Sequence, residues 1–460
     1  AHTVVPHSTG LISGANEVAG RVVCKGSGVK GVTVALQGDL ESDETVTDAN
    51  GQFIFSELSK GQYTVKPNSQ GLLFTPQEKT VDLSTFRNNE EASIEFSCQN
   101  VAWEYSNSQE KDQVIHSLIQ TSDGGFIAAG YTVSNDSMRD GYVLKLSVGG
   151  SLQWEKHFSD AYDDELRSVS EVISEGTSTG YVLTGYTIPS NRNVGRQAWV
   201  VRINSDGDTL WQKKIGTNRR EEGTSIVATS DGGFALAGFG YQTDYQDSDL
   251  WLVKLDSQGN TTWDQYFGGL GNEEAAAIIE SSDGGLVALG NSDSYNSGNM
   301  DLWIFKIAPD SEGTVVWEKT FGNDKFDSGY GLAATSDGYV IAGKTVNEEN
   351  AKPWMLKIDL EGNEVFSRTA SYDGSFMSVV ADTNGYVFAG FRTSNSVDDF
   401  YVSKVDFEGN ELWQVAGSDL AGDRARSVCI SQTGYAVAGE IDTETNGRDI
   451  FVKSIAFDGN

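Results

Sequence analysis

Residues 231–263 read DGGFALAGFGYQTDYQDSDLWLVKLDSQGNTTW and contain most of one repeating unit. An inner strand at 224–229 precedes an Asp-Gly-Gly turn, which leads into an apolar strand and then a polar loop. A second apolar strand at 249–255 ends at a tight turn, and an outer strand carrying Trp263 follows. The strand at 249–255 is apolar on both faces. This is typical of a sheet packed between two neighbours rather than of a half-exposed sheet.

The same unit recurs from residue 101 to the end of the chain. The glycine that precedes each apolar strand returns at steps of 55, 53, 52, 53, 47 and 49 residues. These glycines are Gly125, Gly180, Gly233, Gly285, Gly338, Gly385 and Gly434. A period of about 50 residues with four strands per unit is typical of a β-propeller. The sequence therefore predicts an all-β chain with a seven-bladed propeller.

The outer strand recurs once less often than the glycine turn. The outer-strand aromatic residues that follow the first glycine turn are Trp154, Trp211, Trp263, Trp317, Phe366 and Trp413. The seventh unit stops at residues 457–460, on the turn that should precede an outer strand, whereas residues 101–105 supply a strand with Trp103. We predict that this segment closes the propeller by pairing with the last unit, which leaves no open edge between blades.

A separate run of short strands, bounded by Gly, Asn and Asp, fills residues 17–98. Residues 48–51 predict a hairpin turn, with Asn50-Gly51 suited to positive φ. The predicted core residues are Phe53, Phe55, Leu58, Tyr63 and Val65. The pattern V-x-G-x-V … G-V-x-V-x-L … T-D-x-x-G-x-F-x-F-x-x-L-x-x-G-x-Y-x-V resembles carboxypeptidase-regulatory-like and collagen-adhesin B-type domains. That resemblance implies an immunoglobulin-like (prealbumin-like) β-sandwich, used as a non-catalytic spacer on exported proteins.

The repeat itself resembles that of secreted bacterial propellers with D-G-G-F-x-x-x-G-x-T … D-x-W-x-x-K-x-D-x-x-G-x-x-x-W. This resemblance implies an extracellular or cell-surface protein. The repeat is also similar to the tryptophan-docking repeat of quinoprotein dehydrogenases, but only in blade mechanics, because their cofactor-contacting residues are not identifiable here. We expect three parts: an N-terminal tail (1–16), the sandwich (17–98) and the propeller (101–460).

The net charge and the apolar content of the chain limit the classes of molecule that it is expected to bind. The net charge of −33 predicts a solvated acidic surface, or alternatively a preference for divalent cations or a salty milieu. It argues against nucleic acid and anionic lipid, whose phosphates would be repelled. No stretch is apolar for the ~18 residues that a membrane span needs, so membrane insertion is not expected. A chain that starts at Ala1 rather than Met fits a mature exported form, although a shortened chain would look the same.

The three cysteines divide into two groups. Cys24 and Cys98 bracket the first domain and form a candidate disulfide, as is common in exported proteins. Cys429 lies in an apolar strand and is interpreted as a small buried hydrophobic residue.

The loops between second and third strands differ in every unit, and we expect them to share one face of the propeller, opposite the tight turns. Variable loops on a rigid frame are where binding usually evolves. The candidate ligand-binding residues are Arg192, Asn193, Arg196, Tyr241, Tyr245 and Tyr295. Such side chains can stack on and hydrogen-bond sugars or peptide groups. The alternative is that these loops are solvated connectors without a ligand.

Carboxylates stand before most inner strands. We consider a Ca²⁺ site at the channel mouth, because hard cations need clustered oxygen ligands. Its candidate ligands are Glu222, Glu274, Asp327 and Asp373. The alternative is that each carboxylate caps a backbone turn, and no compact Asp-x-Asp-x-Asp loop supports the metal.

No catalytic constellation is recognisable. The four histidines, His2, His7, His116 and His157, are scattered, and the chain has neither a Gly-x-Ser-x-Gly elbow nor a P-loop. We therefore expect a non-catalytic exported or cell-surface binding or adhesion protein whose propeller loops bind a glycan or a protein. One alternative is a structural subunit that self-associates into an extracellular polymer through its N-terminal tail and first domain. Another is a polysaccharide-active propeller enzyme.

Overall fold

The computed structural model describes residues 16–24, 26–39, 41–69, 72–85, 91–100, 102–107, 112–133, 138–159, 162–189, 195–217, 219–242, 247–295, 299–309, 313–347, 350–417, 422–443 and 447–459. The chain divides into two compact units. The first runs to Trp103 and includes Asp123–Gly125 and Ser147–Ser151; the second contains the rest of the chain. Within the described ranges, no helix has the length and hydrophobicity needed to cross a membrane.

The first unit is a β-sandwich of two sheets with a shared core. Its strands are β1 (Asn16–Cys24), β2 (Ser27–Gly28), β3 (Thr33–Gly38), β4 (Ser42–Val46), β5 (Gln52–Leu58), β6 (Gln62–Asn68), β7 (Leu72–Thr75), β8 (Lys79–Asp82) and β9 (Glu91–Asn100). One sheet has the order β2-β1-β9-β7 with β5 paired to β1, and the other has the order β4-β3-β6-β8. The five core residues predicted from the alternating pattern, Phe53, Phe55, Leu58, Tyr63 and Val65, are all buried in this core.

The tight turn predicted at residues 48–51 forms, with the Gly51 N–H donating to the Asp48 carbonyl at 2.9 Å, but its flanking strands β4 and β5 belong to different sheets and do not pair as a hairpin. Gly51 has a φ of +74°, so the turn chemistry is as expected, but the turn carries the chain across the sandwich. Strands β1 and β9 are parallel and place Cys24 opposite Cys98. Their Sγ atoms form a disulfide between Cα atoms 4.7 Å apart.

The second unit opens with β10 (Glu104–Asn107) and contains, among its described residues, seven four-stranded antiparallel sheets, numbered here 1 to 7. Sheets 1 to 3 consist of β11 (Gln113–Gln120), β12 (Phe126–Val133), β13 (Arg139–Leu146) and β14 (Leu152–Phe158); β15 (Asp164–Ser174), β16 (Thr177–Thr187), β17 (Gln197–Ile203) and β18 (Thr209–Ile215); β19 (Glu221–Ala228), β20 (Phe234–Gly240), β21 (Asp249–Leu255) and β22 (Thr261–Phe267). Sheets 4 to 6 consist of β23 (Glu273–Glu280), β24 (Leu286–Ser292), β25 (Asp301–Ile307) and β26 (Val315–Phe321); β27 (Asp327–Thr335), β28 (Gly338–Asn347), β29 (Asn350–Asp359) and β30 (Glu364–Thr369); β31 (Asp373–Asp382), β32 (Gly385–Ser394), β33 (Val397–Val405) and β34 (Glu411–Ala416). Sheet 7 consists of β35 (Asp423–Ile430), β36 (Gly434–Thr443) and β37 (Gly447–Ala456), with β10 as its fourth strand.

Four-stranded sheets of this kind are the blades of a β-propeller. The first strand of each sheet packs against the first strand of the next, and β35 of sheet 7 packs against β11 of sheet 1. The register of each sheet puts the start of its first strand, the end of its second and the second-to-third loop at one edge, called here the loop edge. The tight Gly turns occupy the opposite edge.

Every first strand carries a β-bulge at the equivalent position. The extra residues are His116, Arg167, Thr224, Ala276, Tyr330, Met377 and Arg426. The backbone carbonyl oxygen two residues before each bulge lies very close to a glycine of the paired second strand. A Cβ added to that glycine would lie 1.7–2.8 Å from the carbonyl oxygen. The positions concerned are Gly130, Gly185, Gly238, Gly290, Gly343, Gly390 and Gly439. The recurring glycine five residues after the turn glycine is therefore required by the bulge.

The outer-strand aromatics dock onto the following sheet. Each lies against the glycine of the next sheet's last turn, in the pairs Trp154–Gly207, Trp211–Gly259, Trp263–Gly313, Trp317–Gly362, Phe366–Gly409 and Trp413–Gly459. Three indole Nε1–H groups also donate to a turn carbonyl at 3.0–3.2 Å. Trp103, which directly precedes β10, makes the equivalent contact with Gly150.

Serine hydroxyls join neighbouring first strands. The residue after the bulge accepts a hydrogen bond from the next sheet's backbone N–H, as from Val169 to Ser117 at 3.3 Å. The other serines in this role are Ser168, Ser225, Ser378 and Ser427. Sheets 4 and 5 carry Ala277 and Gly331 at this position. A Cβ on Gly331 would lie 2.8 Å from the Cα of Ser378, so the close approach of sheets 5 and 6 leaves no room for a side chain.

Candidate functional site

The loop edge is built from ion pairs that cross the seams between sheets. At four seams a cation at the start of a third strand meets a carboxylate beside the next sheet's first strand. These pairs are Arg139–Glu165, Arg196–Glu222, Lys352–Asp373 and Arg448–Asp112. Between sheets 6 and 7 the polarity is reversed, since Asp398 of sheet 6 accepts from Arg424 of sheet 7 at 2.6 Å. Among the described residues, seven arginines take part in ion pairs at this edge.

Two buried carboxylates organise the cluster on sheets 1 to 3. Glu165 contacts His116 at 3.2 Å and Arg139 and Arg167 at 2.5 and 3.0 Å. Glu222 contacts Arg167, Arg196 and Arg220 at 2.8–2.9 Å. Because Arg167 bridges both carboxylates, the three sheets share one network. The network fixes the bulge side chains His116 and Arg167 and leaves the guanidinium groups part-exposed.

The pKa of Glu165 follows from these contacts. Burial alone would raise it, but the hydrogen bonds and charges of His116 and Arg167 outweigh burial and hold the pKa well below the ordinary value of 4.5. A carboxyl whose pKa is lower in the folded chain stabilises the fold above its unfolded pKa. That stabilisation is lost as the pH falls through the folded pKa.

We expect the E165Q variant to be less stable than the parent chain by about 2 kcal/mol at pH 7, because charge-assisted hydrogen bonds are lost. The difference should shrink as the pH falls below 4.5, because the unfolded chain then takes up a proton at this carboxyl while the folded chain keeps it charged. Urea unfolding at pH 7 and pH 3 measures both values. Glu361, exposed in a turn, provides the E361Q control, which should be neutral at either pH. An equal loss for E165Q at both pH values would contradict the lowered pKa.

The recurring carboxylates before the first strands have a second structural role. Glu221, Glu273 and Asp327 are fully buried and accept backbone N–H bonds from the preceding connection. The donors are Thr217, Gly269 and Asn323, at 3.0, 2.9 and 2.6 Å. These acids therefore cap the turn that links one sheet to the next.

The structure does not gather the four predicted Ca²⁺ ligands into one site. Glu222 is held by arginines, Asp373 by Lys352 and Asp327 by Asn323. Glu274 faces Glu222, and burial followed by that neighbouring charge raises its pKa. Among the described residues, no three His, Cys, Asp or Glu side chains are placed to hold a metal ion together. The Ca²⁺ site stays a prediction without a cluster to support it.

The predicted ligand-binding residues are only partly brought together. Arg196 pairs with Glu222 and its guanidinium lies 4.1 Å from the Tyr186 ring centroid. Tyr241 is close by, since its N–H donates to the Arg220 carbonyl at 3.2 Å. Tyr295 lies apart, against Trp303 at 5.1 Å. Arg192, Asn193 and Tyr245 lie outside the described residues, as do Val101 of the closure segment and residues 1–15 of the N-terminal tail.

Sequence reasoning missed the bulge residues, which supply much of the chemistry at this edge. All seven are part-exposed. Each bulge residue directly precedes a small residue that recurs in the first strand, as in His116-Ser117, Arg167-Ser168 and Arg426-Ser427. That recurring small residue is the sequence signal that could have identified them. When the seven units are aligned on that small residue, the position directly before it holds His, Arg, Thr, Ala, Tyr, Met and Arg in turn.

A cavity of about 410 Å³ lies at the loop edge where sheets 5, 6 and 7 meet. Three bulge residues, Tyr330, Met377 and Arg426, line it together with Lys344 and Arg424. Its volume is within the range of small-ligand pockets. The loop edge thus has two halves: an ion-paired cluster on sheets 1 to 3 and a cavity on sheets 5 to 7.

Comparison with known proteins finds a match for the N-terminal part. Residues 19–114 match the SdrD B-like domain, which supports an immunoglobulin-like sandwich of the B type there. The chain is also similar to the regulatory protein FlaEY of Caulobacter vibrioides, with 21% identity over 258 residues, or 49% of this chain. The match spans only 27% of FlaEY.

Two solved structures resemble the chain in backbone. The Pan2 WD40 domain of Neurospora crassa is 10% identical and aligns with 75% of this chain and 90% of its own length, with a TM-score of 0.48. The β-propeller domain of the Trilobed protease from Pyrococcus furiosus is 10% identical, with 76% and 93% coverage and a TM-score of 0.45.

Proposed function

We propose that this chain is a non-catalytic binding or adhesion protein of the extracellular surface, and that its ligand, a glycan or a protein, binds at the loop edge. The observation that carries this proposal is the set of seven bulges, which present different part-exposed side chains at equivalent positions. Bulges commonly re-aim a side chain at a functional site. The ion-paired cluster and the cavity beside these bulges supply the rigid frame and the space that a ligand needs.

We also infer that the seven sheets form one closed ring, a seven-bladed propeller over residues 101–460. Closure is supported by the pairing of β10 within sheet 7 and by three contacts between sheet 7 and sheet 1. Strand β10 pairs with β37, and the Leu118 N–H donates to Ser427 Oγ at 3.0 Å. Arg448 pairs with Asp112 at 3.3 Å, and Trp103 docks on Gly150 as the other outer-strand aromatics do on their glycines.

The first unit, taken as residues 17–98, serves in this proposal as a spacer that carries the propeller away from its attachment. Its match to the SdrD B-like domain supports a surface location. Its disulfide is consistent with an oxidising, exported environment. Assembly through the N-terminal tail and polysaccharide cleavage remain the alternative predictions, and no specific observation favours either.

The proposal is tested with two cysteine variants of sheet 3 that differ only in the edge they mark. Asp247→Cys places an exposed thiol at the loop edge, and Gln258→Cys places one in the tight turn at the opposite edge. Each is coupled to a maleimide polyethylene glycol of about 5 kDa, and both are applied to arrays of glycans and of extracellular-matrix proteins. We expect the unmodified chain to bind members of at least one array, with the signal lost after coupling at 247 and kept after coupling at 258, because bulk excludes ligand only nearby.

Three results would contradict the proposal. Binding that survives coupling at 247 and is lost at 258 would assign the ligand to the turn edge. Binding to neither array would remove the binding role. Release of reducing ends from arrayed polysaccharide would replace it with the enzyme alternative.

A further inference from the structure

Resting on the proposed function, we propose that the cavity on sheets 5 to 7 takes a saccharide that bears a carboxylate. Three cations line the cavity, Lys344, Arg424 and Arg426, against one carboxylate, Asp373. That carboxylate is already paired with Lys352 at 2.6 Å. When the ion-pair partners Lys352, Asp398 and Glu440 are counted as well, four cations face three carboxylates, which leaves one net positive charge around the cavity on a chain whose net charge is −33.

The two arginines are held in place while keeping donors for a ligand. Arg426 donates from Nε and Nη2 to Glu440, whose side chain is fully buried, at 2.6–3.0 Å. Arg424 donates from Nε and Nη2 to Asp398 at 2.6–2.7 Å. The Nη1 group of each has no hydrogen-bond partner among the described residues. Fixed guanidinium groups with a spare N–H pair are suited to a carboxylate.

Lys344 supplies a third cation without a competing anion. Its Nζ lies 5.8 Å from the Tyr330 ring centroid, and it makes no ion pair with any residue that the structure describes. An ammonium group beside an aromatic face, open to an incoming anion, loses little when a ligand carboxylate pairs with it.

The remaining lining favours a sugar over a peptide side chain as the carrier of that carboxylate. Two aromatic rings, Tyr330 and Phe391, lie in the wall beside Asn350, Ser375 and Thr393. Aromatic faces pack against the C–H face of a pyranose, and short amide and hydroxyl groups match ring hydroxyls. A carboxylated pyranose offers all three features within one residue.

The test measures binding of three tetramers by isothermal titration calorimetry at 50 mM salt. They are tetragalacturonic acid, which carries carboxylates on pyranose rings, maltotetraose, which is neutral, and tetraglutamate, which carries carboxylates on a peptide. The variant K344E reverses the one lining cation that makes no ion pair with a described residue, so it should fold normally. The control K213E makes the same charge change on outer strand β18.

We expect tetragalacturonic acid to bind the parent chain and K213E equally, and K344E at least about tenfold more weakly, because a charge-assisted contact becomes a repulsion. The Tyr330→Ala variant should also weaken binding of tetragalacturonic acid by several fold. Equal binding of maltotetraose, tighter binding of tetraglutamate, or unchanged binding by K344E would each overturn the inference. Ligands found on the arrays whose binding ignores K344E would overturn it too, while leaving the proposed function intact.

Discussion

Replacing Gly185 with alanine is expected to destabilise the second unit by more than about 3 kcal/mol, among the largest effects of any single methyl group in the chain. A Cβ at this position would lie 1.7 Å from the carbonyl oxygen of Glu165 and 2.7 Å from its carbon. Both atoms are backbone, so no side-chain rotation can relieve the overlap. The bulge at Arg167 would have to open, and with it the register that Leu166 shares with Gly185.

Guanidinium unfolding followed by circular dichroism measures this loss. Gly61→Ala is the matched control, because its nearest neighbour would lie 3.9 Å away and its φ is ordinary. The control should change the free energy of unfolding by less than about 0.5 kcal/mol. A G185A variant as stable as the control would mean that the first strand of sheet 2 has no bulge at this position.

Removing the Arg426 side chain is expected to cost about 3–5 kcal/mol, because it leaves a buried carboxylate without its partner. Glu440 accepts three hydrogen bonds from that guanidinium, and its side chain is fully buried. The R426A/E440Q double variant removes the stranded charge as well. It should therefore be more stable than R426A alone.

A double-mutant cycle at pH 7 separates the two contributions. We expect E440Q to destabilise the parent chain but to stabilise R426A. Additive losses in the double variant would mean that the two side chains do not interact, which would contradict the geometry of the cavity wall.

The repeat could be predicted from sequence because each of its recurring residues has one local structural cause. Among the described residues, third-strand lysines neutralise turn aspartates in four sheets, as in Lys254–Asp231 at 2.8 Å and Lys306–Asp283 at 2.5 Å. Turn glycines receive the preceding sheet's aromatic ring, as Gly259 receives Trp211. Such features recur at fixed spacing, so pattern and period together indicate the sheet order.

Other features depend on contacts between distant residues and left no comparable signal. The first strand of sheet 3 begins at Glu221, earlier than the predicted 224, because arginines and turn amides make it possible to bury Glu221 and Glu222. A single inserted bulge residue, such as Arg167, changes where side chains point without changing the spacing of glycines. The turn at residues 48–51 reads as a hairpin, yet its strands pair elsewhere, since the choice of partner sheet is made by the sandwich core.

In the candidate site too, some residues could be predicted from sequence and others could not. Arg196 and Tyr241 could be chosen because loops of uneven composition on a repeating frame favour binding. The residues of the cavity, Tyr330, Lys344 and Arg426, lie within strands and look like ordinary members of the repeat. Only the packing of three sheets shows that they share one space.

A designed disulfide tests the proposed closure of the ring through the pairing of β10 with β37. Glu104 of β10 stands opposite Lys453 of β37, with the carboxylate 3.3 Å from the ammonium group. Directly opposed residues of an antiparallel pair are close enough for a disulfide.

In the E104C/K453C variant we expect mild oxidation to consume both new thiols within one chain, as read by intact mass and by peptide mapping. The E104C/K319C control, with its second thiol on β26 of sheet 4, should keep both. Free thiols, or only intermolecular bonds, in E104C/K453C would contradict the closed ring.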